Sequence, residues 1–196
     1  MAGAATETGG MRSPHERPAA GDGSGTGLPF EALIDDARDL APGDFERKWG
    51  NGFLLATATR LYSRRTESTT ELLLDNERAD PAARTADLGI TVYPLRPSAN
   101  SPGTLVTLGR GVGHDVTIPD ASISRFHAFV KQEEGRFLVQ DADSTNGSLV
   151  NGASVPTRAG GPATPLKPGD SVRLGRMEFT FVDAAGLQSF VLKAGA

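Results

Sequence analysis

No cysteine occurs anywhere in these 196 residues. A disulfide framework, a thiolate metal site and a cysteine nucleophile are excluded together. There is also no run of the ~18 apolar residues that a membrane-spanning helix needs. Met1 to Gly10 lack a basic region followed by an apolar core, so no signal peptide is expected, and the simplest location is cytoplasmic. A strong positive charge is missing too. Residues 1–89 hold 10 Lys+Arg against 15 Asp+Glu, and residues 90–196 hold 10 against 9, a balance of −5 followed by +1. Bulk nucleic acid calls for a strongly basic face, so neither nucleic acid nor a membrane surface is an expected partner. An anion would be held by a few placed side chains.

What is present divides along the chain. Residues 1–27 are mostly Gly, Ala, Thr, Ser and Pro with scattered charges, and read as a disordered tail. Residues 28–87 read as a small mixed α/β extension. Phe30, Leu33, Ile34, Ala37 and Leu40 recur three and four apart as one face of a short helix, which Pro42-Gly43 should end. Asp44 is placed to cap a second turn carrying Phe45 and Trp49. Phe53 to Thr59 and Thr70 to Leu74 are short apolar segments, the first strand-like, the second strand or helical turn. From Leu88 to Asp183 the texture is all-β, with short alternating runs such as Leu105-Val106-Thr107-Leu108, Arg136-Phe137-Leu138-Val139-Gln140 and Glu178-Phe179-Thr180-Phe181-Val182. Turns at Glu134-Gly135, Asn146-Gly147, Asn151-Gly152 and Pro168-Gly169-Asp170 separate them. About a hundred residues of short strands without a long helix predict a β-sandwich over 88–183. Residues 184–196 read as a C-terminal tail.

Four motifs lie in order within the β region: Gly109-Arg110, Ser124-Arg125-Phe126-His127, Ser144-Thr145-Asn146-Gly147 and Asn151-Gly152. A guanidinium offers forked donors matched to phosphate oxygens. Ser124 can donate a hydroxyl to the same group, and Arg125 can add charge. Asn146, before a glycine, tolerates positive φ and carries an amide able to bond an extended backbone. Residues 88–183 resemble a forkhead-associated (FHA) domain through Leu108-Gly109-Arg110, His114 to Asp120, Ile123 to Ala128, Asp143 to Gly147 and Val150-Asn151-Gly152. The resemblance continues through Leu166 to Asp170 and Val172 to Gly175. It implies an antiparallel β-sandwich that reads phosphothreonine peptides with no cofactor, metal or catalytic residue. It assigns phosphopeptide contact to Arg110, Ser124, Arg125, Thr145 and Asn146, and support of the site to Gly109, His127, Gly147, Asn151 and Gly152. His114 and Ser148 depart from the family pattern, where Asn and Thr are commoner.

Two enzymatic alternatives fail on the residues. Ser124 and His127 lack a nucleophile elbow and an orienting acid. Gly109 to Gly113 precede a strand-like segment and not the helix that a nucleotide loop needs. One further signal lies upstream: Thr66-Glu67-Ser68-Thr69-Thr70-Glu71 is an acid-flanked hydroxyl cluster, with Leu72 and Leu73 three residues after Thr69 and Thr70. In outline it resembles the threonine motif of small actinobacterial FHA regulators, which implies phosphorylation at Thr66, Ser68, Thr69 or Thr70 and an intramolecular switch. The expected protein is a non-catalytic phosphothreonine-binding adaptor or regulator downstream of a Ser/Thr kinase. The competing class is a scaffold with phosphate-independent contacts.

Overall fold

The computed structural model of the chain describes residues 25–57, 89–98, 101 and 103–194. The hydroxyl cluster at Thr66, Ser68, Thr69 and Thr70, the apolar segment after it, and residues 1–24 of the expected tail lie outside the described residues.

Strand pairing follows the alternating runs. β7 (Ala128–Glu133) and β8 (Arg136–Asp141) pair antiparallel from Ala128↔Asp141 to Glu133↔Arg136. The turn between them holds Glu134 at φ 49° and Gly135 at φ 76°, the positive pair that matches the twist of a tight hairpin. β5 (Leu105–Gly109) adds antiparallel to β7. The two-residue β6 (Val116–Thr117) adds parallel to β5, followed at the edge by β1 (Gly25–Thr26). With β11 (Thr164–Leu166) on β8, the first sheet runs β1-β6-β5-β7-β8-β11.

The second sheet contains β2 (Leu28–Pro29), β3 (Gly52–Thr57), β4 (Ile90–Pro94), β9 (Ser148–Val150), β10 (Ala153–Ser154), β12 (Ser171–Leu174) and β13 (Met177–Asp183). Its order is β10-β9-β12-β13-β3-β4-β2. Leu54, Leu108, Val130, Val139, Leu174, Phe179 and Phe181 meet between the sheets in a close-packed core. The all-β sandwich expected from the sequence is therefore present.

Residues 28–57 of the expected extension are built into the sandwich and its cover. β3 lies inside the second sheet between β13 and β4, and is buried on both faces: Leu54 and Ala56 enter the sandwich core, Phe53 and Leu55 the opposite side. That second face needs a cover, and three helices provide it. A 3₁₀ turn (Phe30–Leu33) leads into α1 (Ile34–Asp39), α2 follows (Pro42–Trp49), and α3 (Ala184–Ala194) closes the layer. Phe30, Leu33, Ala37, Phe45, Leu187 and Val191 form this outer core with Phe53, Leu55, Ile90 and Val92.

Two local expectations are corrected here. Pro42 does not simply end a helix; it begins α2, at a position where the missing N–H costs nothing and the fixed φ suits the first turn. Asp44 then sits within that turn, and Ala41 is the N-cap. Residues 184–194 are a helix and not a tail, because Leu187 and Val191, one turn apart, fill the outer core. Gln188 fastens the helix by donating to the carbonyls of Ala37 (3.1 Å) and Leu40 (2.9 Å), two groups left over at the end of α1. Leu187→Ala should lower the unfolding free energy by about 3 kcal/mol, read from denaturant midpoints. A loss under about 1 kcal/mol would mean that α3 adds little to the fold.

Candidate phosphate-binding site

The loops after β5, before β7 and between β8 and β9 converge at one end of the sandwich. Gly109 makes their approach feasible, since a Cβ there would stand 2.1 Å from the carbonyl oxygen of Arg125. The pre-β7 loop then zips onto the end of β5. Arg110 N–H donates to Ser124 O (2.9 Å), Gly111 N–H to Arg125 O (3.1 Å) and His127 N–H to Leu108 O (2.8 Å). Arg110 Nε donates to Ile123 O at 3.1 Å, which orients the guanidinium and leaves its terminal nitrogens with no partner among the described residues.

Ser124 and Thr145 join the two main loops. Thr145 N–H donates to Ser124 Oγ at 3.0 Å, and the hydroxyls lie 3.4 Å apart. Arg110, Ser124, Arg125, Thr145 and Asn146 share the lining of one open depression of about 540 Å³ with Phe126 and Asp143. The structure thus brings together the five residues assigned to phosphopeptide contact. Two guanidiniums against one carboxylate leave the depression cationic. Among the described residues no group of three His, Asp or Glu side chains is placed to hold a metal ion.

His127 is fully buried behind this surface. Its Nδ1 accepts the Ser124 N–H at 3.0 Å, so Nε2 carries the proton and donates to Gly147 O at 3.2 Å. Neither nitrogen is left for the Ser124 hydroxyl, which removes the base a serine nucleophile would require. Burial lowers the His127 pKa below its usual 6.5, opposed by the Gly147 carbonyl and the nearby Asp141 charge. Gly147 stands at φ 73° and closes the Asn146 turn, while its carbonyl also takes the Gly175 N–H at 3.0 Å. Asn146 is exposed, but its Nδ2 is committed to the carbonyl of Ser122 at 2.8 Å.

Several supporting residues escaped the sequence reading. Asp141 is buried and accepts from Ser144 N–H (2.8 Å), Ser144 Oγ (2.7 Å) and Ser148 Oγ, which pins the 142–147 loop at both ends. This gives Ser148 a structural role. Ser122, also buried, donates to Asp120 and accepts the Arg176 N–H at 3.0 Å, tying the pre-β7 loop to the β12–β13 turn. The spacings Asp120-x-Ser122 and Asp141-x-x-Ser144 were the available signal for such local carboxylate–hydroxyl turns. Asn151 and Gly152 are the reverse case. They lie beyond β9 at its far end, where Asn151 bonds Asp170 (2.8 Å) and the Ser171 N–H (2.9 Å). They hold that hairpin and do not adjoin the grip.

Two buried groups contribute to the acid response. His127 has a lowered native pKa, so below pH 6.5 the unfolded chain takes up more protons, and stability falls as pH drops through the native value. Asp115 follows in a lower window. Burial alone would raise its pKa, but bonds from Ser101, the Thr107 and Ser98 amides and the Thr107 hydroxyl outweigh burial and bring it from 3.8 to about 2. Its contribution, on the order of 2 kcal/mol, is present above pH 3.8 and lost toward pH 2. Thermal melts across pH 7.5 to 5 should show a declining Tm, and the slope should flatten in His127→Gln, which cannot titrate. An unchanged slope would place the titrating group elsewhere.

The profile of the FHA domain family matches residues 106–175. Over 102 residues the chain is 30% identical to the oxoglutarate dehydrogenase inhibitor of Corynebacterium diphtheriae, covering 50% of this chain and 67% of that protein. It is 34% identical over 90 residues to the ABC transporter ATP-binding/permease protein Rv1747 of Mycobacterium tuberculosis, covering 46% of this chain but 10% of the transporter. The solved FHA-2 domain of that transporter aligns at 34% identity with a TM-score of 0.36, over 46% of this chain and 79% of the domain. The chain therefore spans between a tenth and two thirds of these two curated relatives. With the sandwich and the ordered Gly-Arg, Ser-Arg-x-His and Thr-Asn-Gly loops in place, the chain belongs to the forkhead-associated domain family.

Proposed function

We propose that this chain is a phosphothreonine-dependent peptide- and protein-binding module, acting in the cytoplasm as an adaptor or regulator downstream of a Ser/Thr kinase, and that it catalyses no reaction. The observation that carries this reading is the convergence of Arg110, Ser124, Arg125 and Thr145 on one depression, with the terminal nitrogens of Arg110 uncommitted. Each hydrogen bond to a charged phosphate contributes about 1.5–3 kcal/mol. Three or four, less desolvation and ordering, are consistent with a micromolar complex near −8 kcal/mol. Asn146 would bond the peptide backbone through its amide oxygen and its second Nδ2 hydrogen, since the bond to Ser122 uses only one of the two. A relative named as an enzyme inhibitor is consistent with a regulatory role.

Titration with phosphothreonine peptides tests the reading. Arg110→Ala or Ser124→Ala should weaken binding by about 2–3 kcal/mol, roughly 30- to 150-fold, without loss of fold. Phosphoserine peptides should bind about fourfold more weakly if one methyl, ~0.8 kcal/mol, is all that differs. Binding that ignores the phosphate, or that survives Arg110→Ala, would favour a scaffold that uses another face.

A regulatory refinement rests on strand register. Thr57 of β3 and Ile90 of β4 are paired, with Leu55 opposite Thr180 of β13, so both strands end toward Met177 and the β12–β13 turn. That turn contacts Ser122 and Gly147, so Thr57 and Ile90, which flank the segment carrying Thr69 and Thr70, stand at the end that carries the proposed site. Phosphorylation at Thr69 or Thr70 would present a phosphothreonine at high local concentration and compete with partners. Kinase treatment followed by mass spectrometry and peptide titration checks this. Phosphate on residues 66–70 should accompany loss of peptide binding, and retained binding after phosphorylation would sink the switch.

A further inference from the structure

Asparagine is followed directly by glycine at three places in the chain: Asn51-Gly52, Asn146-Gly147 and Asn151-Gly152. Such a pair is chemically unstable. Glycine has no Cβ to shield its amide nitrogen, which can therefore reach the Cγ of the preceding side chain. The fold opens the three pairs to this attack unequally. Asn51-Gly52 is sealed, since a Cβ on Gly52 would stand 2.4 Å from the Phe137 ring, and Asn51 Oδ1 accepts from Gln132 Nε2 at 3.0 Å. Asn151-Gly152 is open around the glycine, where nothing lies within 4 Å of a Cβ position. Its side-chain amide, however, is held at both atoms, Nδ2 by Asp170 and Oδ1 by the Ser171 N–H.

Asn146-Gly147 is open and loosely held at once. Nothing lies within 4 Å of a Cβ position on Gly147, and Asn146 is exposed. A single bond among the described residues, from Nδ2 to Ser122 O at 2.8 Å, restrains its amide. We propose that Asn146-Gly147 is a spontaneous modification site, a slow chemical clock that converts Asn146 to aspartate or isoaspartate and retires the phosphate grip. The Gly147 nitrogen attacks Cγ of Asn146, an N–Cγ bond forms, the Cγ–Nδ2 bond breaks, and the nitrogen's proton leaves with ammonia. Water then opens the resulting succinimide at either carbonyl, giving the two acids.

The product is unsuited to the place it occupies. A carboxylate donates nothing, so the bond to the Ser122 carbonyl is lost and two acceptors face each other. Its charge also enters the depression lined by Arg110 and Arg125, where it competes for the guanidiniums and repels a phosphate. Isoaspartate adds a methylene to the main chain as well. The turn it lengthens holds Gly147 at φ 73° with its carbonyl between His127 Nε2 and the Gly175 N–H. A bound peptide that engages the Asn146 amide keeps Cγ away from the Gly147 nitrogen, so an occupied grip ages more slowly than an empty one. The effect on binding rests on the phosphothreonine reading above; the reaction itself does not.

The test stores the full chain in warm, mildly alkaline buffer, with and without a phosphothreonine peptide, beside a free synthetic peptide spanning Asn146-Gly147. Peptide mapping by mass spectrometry, with enzymatic methylation to reveal isoaspartate, follows each Asn-Gly pair over time. Asn146 should convert ahead of Asn151 and Asn51, faster as pH rises and more slowly with the phosphothreonine peptide bound. Loss of binding should track conversion at Asn146, and freshly made Asn146→Asp should bind about 30-fold more weakly. Asn146→Gln, whose longer side chain closes an imide poorly, should lose no further binding during storage. Conversion of Asn151 or Asn51 ahead of Asn146 would overturn the proposal, as would an unchanged Asn146 in the empty chain while the free peptide converts. Full binding by chain already converted at Asn146 would overturn the clock and leave the phosphothreonine reading standing. Fresh chain that binds no phosphothreonine peptide would overturn that reading, and the mass map would still decide the site of reaction.

Discussion

The buried imidazole of His127 is the contact on which the candidate site depends. It receives the Ser124 amide on one nitrogen and gives its proton to the Gly147 carbonyl from the other. The backbone of the serine loop and the end of the Thr-Asn loop are thereby set at a fixed separation. This works only for a neutral ring in one tautomer, and burial favours that state by disfavouring the imidazolium. Around it the remaining polar groups are satisfied in sequence. Asp141 holds the start of the 142–147 loop and Ser148, while Ser122 and Gly147 both reach the β12–β13 turn. A partly satisfied network of this kind would cost stability, and a complete one specifies a single loop arrangement.

The second constraint is β3. A strand buried on both faces belongs to two cores at once, so the sandwich and the helical layer depend on a common element. Residues 106–175, matched by the family profile, omit β3, β4 and β13, which between them carry Leu54, Tyr93, Phe179 and Phe181 of the sandwich core. Residues outside the matched segment therefore fix the second sheet, whose β12–β13 turn touches the loops of the grip.

Much of this was legible in sequence, for definable reasons. The alternation in Arg136 to Gln140 and Leu105 to Leu108, and the Glu134-Gly135 turn, are local signals that survive into β8, β5 and their connection. The grip was visible because its residues cluster in short motifs. Long-range supports were not. Nothing local marks α3 as a cover, since it is short and carries Gly186, and its partners lie some 150 positions earlier. Pro165 likewise hid β11, which tolerates a proline because it is an edge strand. Asn151-Gly152 was legible as a turn, while its assignment to site support came from the resemblance; it stands beyond β9, where Asn151 holds the hairpin through Asp170 and Ser171.

The same network bears on what the pocket can do with a phosphate. Ser124 Oγ already accepts the Thr145 amide, which turns its lone pairs inward and leaves the hydroxyl proton, now lying toward Thr145 Oγ1, free to rotate to an anion. The adjacent imidazole is closed off on both nitrogens, so His127 cannot raise that hydroxyl to a nucleophile. Arg110 is oriented through Nε while its outer nitrogens stay uncommitted, a geometry that presents a forked donor without spending it. Donors set in place before the ligand arrives reduce the ordering cost of binding. In the proposed reading, the bonds that fix the serine loop for a phosphate are the same ones that occupy both nitrogens of His127.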